Sequence, residues 1–87
     1  MIDTKKILVV EDDESISDII SYSLRKEGYY VQCAFNGKEA IALIETVQPH
    51  LLLLDVMLPD TSGFDICKRV VQDFPHTPII MLTARND

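Results

Sequence analysis

Residues 51–60 read LLLLDVMLPD, four leucines running straight into a carboxylate at Asp55. A continuous rather than alternating apolar run of this length suits a strand covered on both faces, which is the habit of parallel sheets. Two further runs share the character, ILVV at residues 7–10 and IIML at residues 79–82. A fourth, YVQCAF at residues 30–35, alternates in part, as expected of a strand nearer a sheet edge.

Amphipathic segments fill the gaps. DESISDIISYSLRKEG (13–28) places Ile16, Ile19, Ile20 and Leu24 on one helical face, begins with acids, ends with bases and stops at Gly28. That polarity matches the helix dipole and a glycine C-terminus. NGKEAIALIETVQP (36–49) repeats the spacing with Ala40, Ile41, Ile44 and Val47 and is closed by Pro49. SGFDICKRVVQDFP (62–75) does so with Phe64, Ile66, Cys67, Val70, Val71 and Phe74. The order β-α-β-α-β-α-β predicts right-handed crossovers with helices on both faces, a doubly wound α/β domain over residues 1–87.

The 87 residues fit one domain, and 47% apolar content supplies a core. A chain this short buries only ~60 to 65% of its unfolded surface, so its stability is marginal. The net charge of -6 argues against a nucleic-acid or anionic-membrane surface, both of which need a cationic footprint. No apolar run approaches the ~20 residues of a membrane span, and MIDTKK passes too quickly into acids for a signal peptide, so a cytoplasmic location is expected. Cys33 and Cys67 lack CxxC or zinc-ligand spacing and read as reduced thiols.

Each apolar run is followed by polar chemistry: Glu11, Asp12 and Asp13 after the first, Asp55 after the third, Thr83 after the fourth. In doubly wound folds ligands bind beyond the carboxyl ends of the strands, where the winding reverses. If the first and third strands are neighbours, as in a flavodoxin-like sheet, Glu11, Asp12 and Asp55 share one crevice. Two unit charges about 4 Å apart repel by roughly 4 kcal/mol at an effective dielectric near 20. Such a cluster calls for a counterion, and a hard divalent cation such as Mg²⁺ takes one or two carboxylates while leaving places for water, a backbone carbonyl and a phosphate. This is the composition of a phosphoryl-transfer site, with Asp55 as the nucleophile and the Thr83 hydroxyl a donor to phosphate oxygens. Small Ala84 leaves room beside it. Asp13, ahead of Ser15 and an apolar run, reads equally as a helix N-cap.

Together, ILVVEDDE, LLLLDVMLPDTSG and IIMLTA resemble the receiver (CheY-like) domain of two-component response regulators, from about Lys5 to the end of the chain. The resemblance implies a flavodoxin-like parallel sheet of order 2-1-3-4. It implies that Asp55 is the phosphoacceptor for a sensor histidine kinase, that Asp12 binds Mg²⁺ directly and Glu11 through water, that Met57 offers its backbone carbonyl, and that Thr83 is the switch hydroxyl. Pro59 and Gly63 match the loop after the acceptor, Pro by stiffening the turn and Gly by tolerating unusual backbone angles. The wording of DVMLPDTSGFDICKRV and MLTARND is most like receivers that precede a winged-helix DNA-binding domain; DNA would be contacted only through such an output domain, and by this chain not at all. Family members continue through a fourth helix, a fifth strand ending in lysine, and a fifth helix, which the 87 residues lack. Lys5, Lys6, Lys26, Lys38 and Lys68 are not at that fifth-strand position. The chain thus reads as an incomplete receiver whose fourth strand is an exposed apolar edge, inviting self-association.

Two other functions are weighed. A haloacid-dehalogenase-like phosphatase also starts from a strand-terminal Asp, but needs a second acid two residues on, where this chain has Met57. A receiver-fold binding module without phosphorylation is favoured by the missing lysine and disfavoured by the intact Glu11, Asp12, Asp55 and Thr83. In either receiver reading the chain is a signalling domain rather than an enzyme. His50 and His76 read as loop residues, the tyrosines as packing, and the methionines as core filler.

Overall fold

The computed structural model describes residues 4–82. Four strands, β1 (Lys6–Val10), β2 (Tyr30–Ala34), β3 (Leu51–Asp55) and β4 (Ile79–Leu82), alternate with three helices, α1 (Glu14–Lys26), α2 (Gly37–Val47) and α3 (Gly63–Asp73). The strands form one sheet in the order β2-β1-β3-β4, and every pairing is parallel. This is the flavodoxin-like, doubly wound arrangement expected, with no fourth helix, fifth strand or fifth helix among the described residues.

Alternation along the strands splits the core in two. Leu8, Val10, Ala34, Leu52 and Leu54 pack with Ala40 and Ile44 of α2 and Ile66 and Val70 of α3 on one face. Ile7, Val9, Val31 and Leu53 pack with Ile20 and Leu24 of α1 on the other. Runs of leucine and valine need no polar alternation here because β1 and β3, the inner strands, are apolar on both sides. Cys33 packs with the second cluster and Cys67 with the first, both as free thiols.

The helix ends follow local chemistry. Asp13 is the N-cap of α1, its side chain accepting from the Ile16 N–H at 3.1 Å. Gly28, just past the C-cap Glu27, takes a left-handed φ of 98°, the conformation that favours glycine. Gln48 ends α2 in the same region at φ 53°, ahead of buried Pro49.

Several packing expectations are corrected. Ile19 is 67% exposed and Ile16 is exposed as well, while Ser17 and Ser21 are buried against the sheet. Small side chains let a helix approach a sheet closely, so Ser17 and Ser21 sit at the closest contact while Ile20 and Leu24 pack beside them as expected and Ile16 and Ile19 turn outward. Phe64 and Val71 of α3 are exposed. So are Tyr22, Tyr29, Tyr30 and Met57, which are therefore not packing residues. His50 is more than loop filler: its Nδ1 accepts from the Lys6 N–H at 2.9 Å, and its own N–H donates to the Lys6 carbonyl, fixing the start of β3 to β1.

Candidate functional site

The site begins with register. Val10 of β1 faces Leu54 of β3, so the next residues, Glu11 and Asp55, lie side by side at the carboxyl rim of the sheet. Carboxylate oxygens of Glu11, Asp12 and Asp55 all lie within 4.8 Å of one another. Three of the five expected site residues thus meet in one place. Thr83 lies outside the described residues, as does Ala84.

The three acids differ in environment. Glu11 is buried, at 6% exposure, Asp55 is half-buried and Asp12 is exposed. Glu11 Oε2 accepts from the Asp13 N–H at 3.0 Å. Burial, then the charge of Asp55 and the neighbouring Asp12 carboxyl, push the Glu11 pKa above its ordinary 4.5, against the lowering effect of that hydrogen bond. Among the described residues Arg69–Asp73 is the only ion pair, an exposed i,i+4 contact on α3. No described lysine or arginine therefore pairs with the cluster; the Lys6 ammonium instead donates to the Val47 carbonyl. An all-oxygen donor set, partly buried and without a protein cation, fits a hard divalent ion such as Mg²⁺.

Met57 stands two residues beyond Asp55 in the loop that joins β3 to α3. Its side chain is 71% exposed, leaving its backbone as the part the fold can hold in place. An isolated antiparallel bridge links Met57 to Ser62, the Leu58 N–H donates to the Thr61 carbonyl at 3.2 Å, and the Gly63 N–H donates to the Val56 carbonyl at 2.6 Å. Ser62 caps α3 by accepting from the Phe64 N–H. Gly63 is needed for space, not for unusual angles: its φ is not positive, and a Cβ there would overlap the Asp55 carbonyl oxygen and lie 2.9 Å from Val56 Cα. This corrects the conformational reason given for that glycine.

Sequence reasoning missed Asp60. Its carboxylate accepts from the N–H groups of Gly37 at 2.7 Å and Lys38 at 3.0 Å, and these bonds hold its pKa below the ordinary 3.8. The partners are 22 and 23 residues away, so no local motif announces the contact. A separate groove of about 570 Å³ between β2 and α2, lined by Lys6, Tyr30, Gln32 and Leu43 among others, opens at the amino end of the strands, away from the carboxylates.

A parallel sheet of this order with three carboxylates at its switch-point rim defines a receiver-type domain. The model of the response regulator receiver domain family matches residues 7–87, and the chain belongs to that family. A CheY-like receiver domain protein from Methanospirillum hungatei is 34% identical with a TM-score of 0.92, over 98% of this chain and 68% of its own. A putative response regulator from Chloroflexus aurantiacus is 38% identical with a TM-score of 0.91, over 98% and 71%. The response regulator TrrA from Thermotoga maritima, solved in complex with Mg²⁺ and BeF, is 32% identical with a TM-score of 0.91, over 95% and 72%.

Proposed function

We propose that this receiver domain is the phosphoacceptor of a two-component system, with Asp55 taking a phosphoryl group from the phosphohistidine of a sensor histidine kinase. The observation that carries the reading is the convergence of Glu11, Asp12 and Asp55 within 4.8 Å at the carboxyl rim of the sheet. An Asp55 carboxylate oxygen forms the new P–O bond while the P–N bond to the kinase imidazole breaks, and the freed imidazole retains the bonding electrons. Asp12, Asp55 and the Met57 backbone carbonyl would hold Mg²⁺ directly, and Glu11 would support it through water. The ion would offset the charge of the incoming phosphoryl group and of the acids themselves. The solved complex of TrrA with Mg²⁺ and BeF supports this choice of ion. Thr83 is proposed as the hydroxyl that follows the new phosphate.

The domain acts as a cytoplasmic signalling switch and not as a turnover enzyme. No described helix is long and apolar enough to cross a membrane. The winged-helix transcription factors are the proposed subfamily, so that DNA is contacted by an output domain rather than by this acidic fold. Among the described strands β4 is an edge, with Ile80 51% exposed, and self-association through that edge is proposed as a second contact.

The test is incubation with a small acyl-phosphate donor and Mg²⁺, followed by intact mass. A single phosphate adduct that is lost in Asp55→Asn is the expected result. No adduct on the wild-type chain would leave a binding module that keeps the fold without the chemistry.

A further inference from the structure

Asp60 takes no part in the carboxylate cluster, yet its side chain is the one at the tip of the β3–α3 loop that is bound to another element. Its two oxygens accept from the first two N–H groups of α2, those of Gly37 and Lys38, and Asn36 accepts from the third, that of Glu39, at 2.8 Å. A carboxylate from a distant loop thereby completes the cap of a helix whose own N-cap side chain satisfies one donor. Contact is close on the apolar side as well: a Cβ on Gly37 would overlap Thr61 Cγ2 and lie 3.2 Å from Asp60 Oδ1.

The strand end that leads into α2 is bonded to the other acidic loop. The Glu11 N–H donates to the Ala34 carbonyl at 3.1 Å, two residues before the Asn36 cap, and the Phe35 N–H donates to Glu39 Oε1 at 2.8 Å. The first turn of α2 is thus hydrogen-bonded to the β3–α3 loop through Asp60, and it follows the β2 end to which the Glu11 N–H is bonded. The Met57 side chain is largely exposed, so its backbone is held by its neighbours: Leu58 packs against the core, Met57 bridges to Ser62, and the loop tip is anchored through Asp60.

We propose that Asp60 is a positioning residue for the cation site: clamped to Gly37 and Lys38, it braces the loop so that the Met57 carbonyl stays aligned with Asp12 and Asp55. The inference rests on the metal-site reading above and names a residue through which that site is held without touching the ion.

Calorimetric titration with Mg²⁺ tests it on the wild type, Asp60→Ala, Asp60→Asn and, as a control with a cavity in the core beneath α3, Val70→Ala. Residues that orient ligands typically change metal affinity ~10 to 100-fold, and one acting a step further out should cost about 3 to 10-fold. Asp60→Ala is expected to weaken Mg²⁺ by that factor, Asp60→Asn by less because one acceptor oxygen remains, and Val70→Ala not at all. Hydrogen exchange at the Leu58 amide in the metal-free protein should quicken in Asp60→Ala and stay unchanged in Val70→Ala. Wild-type Mg²⁺ affinity in Asp60→Ala, or an equal loss in Val70→Ala, overturns the positioning role and leaves the metal site standing. Absence of Mg²⁺ binding by the wild type overturns both.

Discussion

Val10 and Leu54 face each other across the parallel pair β1–β3, and this one register places Glu11 beside Asp55. Parallel strands send their carboxyl ends to the same rim, so residues 44 apart in sequence become neighbours without any contact between their side chains being required. A shift of the register by one residue would part Glu11 from Asp55, although β1 and β3, apolar on both faces, would still bury leucine and valine. The placement of Glu11 beside Asp55 is therefore set by the backbone ladder that pairs Leu8 with Leu52 and Val10 with Leu54.

The acids crowd one another when no cation is present. Asp12→Asn and Asp55→Asn should each raise the stability of the metal-free fold by about 1 kcal/mol, a Tm increase of ~4 to 8 °C for a domain of this size. Thermal melts in chelator measure it, and lower melting in both variants would contradict the repulsion argument.

Glu11 supplies a pH signature. Its folded pKa is raised above 4.5, so the folded chain holds the proton more tightly than the unfolded one. Metal-free stability should fall as pH rises from about 4.5 through the raised value, and Glu11→Gln should flatten that decline. Asp60 runs the other way: its pKa is lowered from 3.8, so its contribution is present above that value and is lost in stronger acid, as folded Asp60 protonates. Urea midpoints across this range, compared with Asp60→Asn, separate the two slopes.

Gly63 admits no side chain. Gly63→Ala should cost about 1 to 3 kcal/mol, the usual range for overpacking, because its Cβ meets the backbone of Asp55 and Val56 and not a flexible side chain. Equilibrium denaturation measures the loss, and a change below ~0.5 kcal/mol would mean that the loop moves aside freely.

The β4 edge is testable by mass. Light scattering should show an apparent mass that rises with concentration, and Ile80→Lys should suppress the rise by placing a charge on the half-exposed edge. A concentration-independent monomer in the wild type would remove self-association from the account.

The elements were legible because their signals are local. Continuous apolar runs marked β1, β3 and β4 to within a residue, and Gly28, Asp13 and Pro49 marked helix limits. The carboxylate cluster followed once strands one and three were set side by side, a step that topology supplies and periodicity does not. The faces of α1 and α3 were harder. Hydrophobicity alone points to Ile19, Phe64 and Val71, whereas close approach to the sheet selects Ser17 and Ser21 on α1. Asp60 was invisible for a different reason: its partners are backbone N–H groups, which every residue but proline carries, so no residue type flags them. Gly63 was marked as important but for the wrong property, since crowding by the Asp55 carbonyl depends on the path of a neighbouring strand.

The carboxylates of Glu11, Asp12 and Asp55, gathered at two strand ends, are the proposed seat for a divalent ion. Melting the wild type, Asp12→Asn and Asp55→Asn with and without millimolar Mg²⁺ addresses it most directly. Binding at ~100 times the dissociation constant stabilises by about 2.7 kcal/mol, a Tm rise well above error in a domain this small. That rise is expected in the wild type and its absence in both variants; a wild-type Tm that ignores Mg²⁺, or variants that respond as it does, would rule the metal seat out.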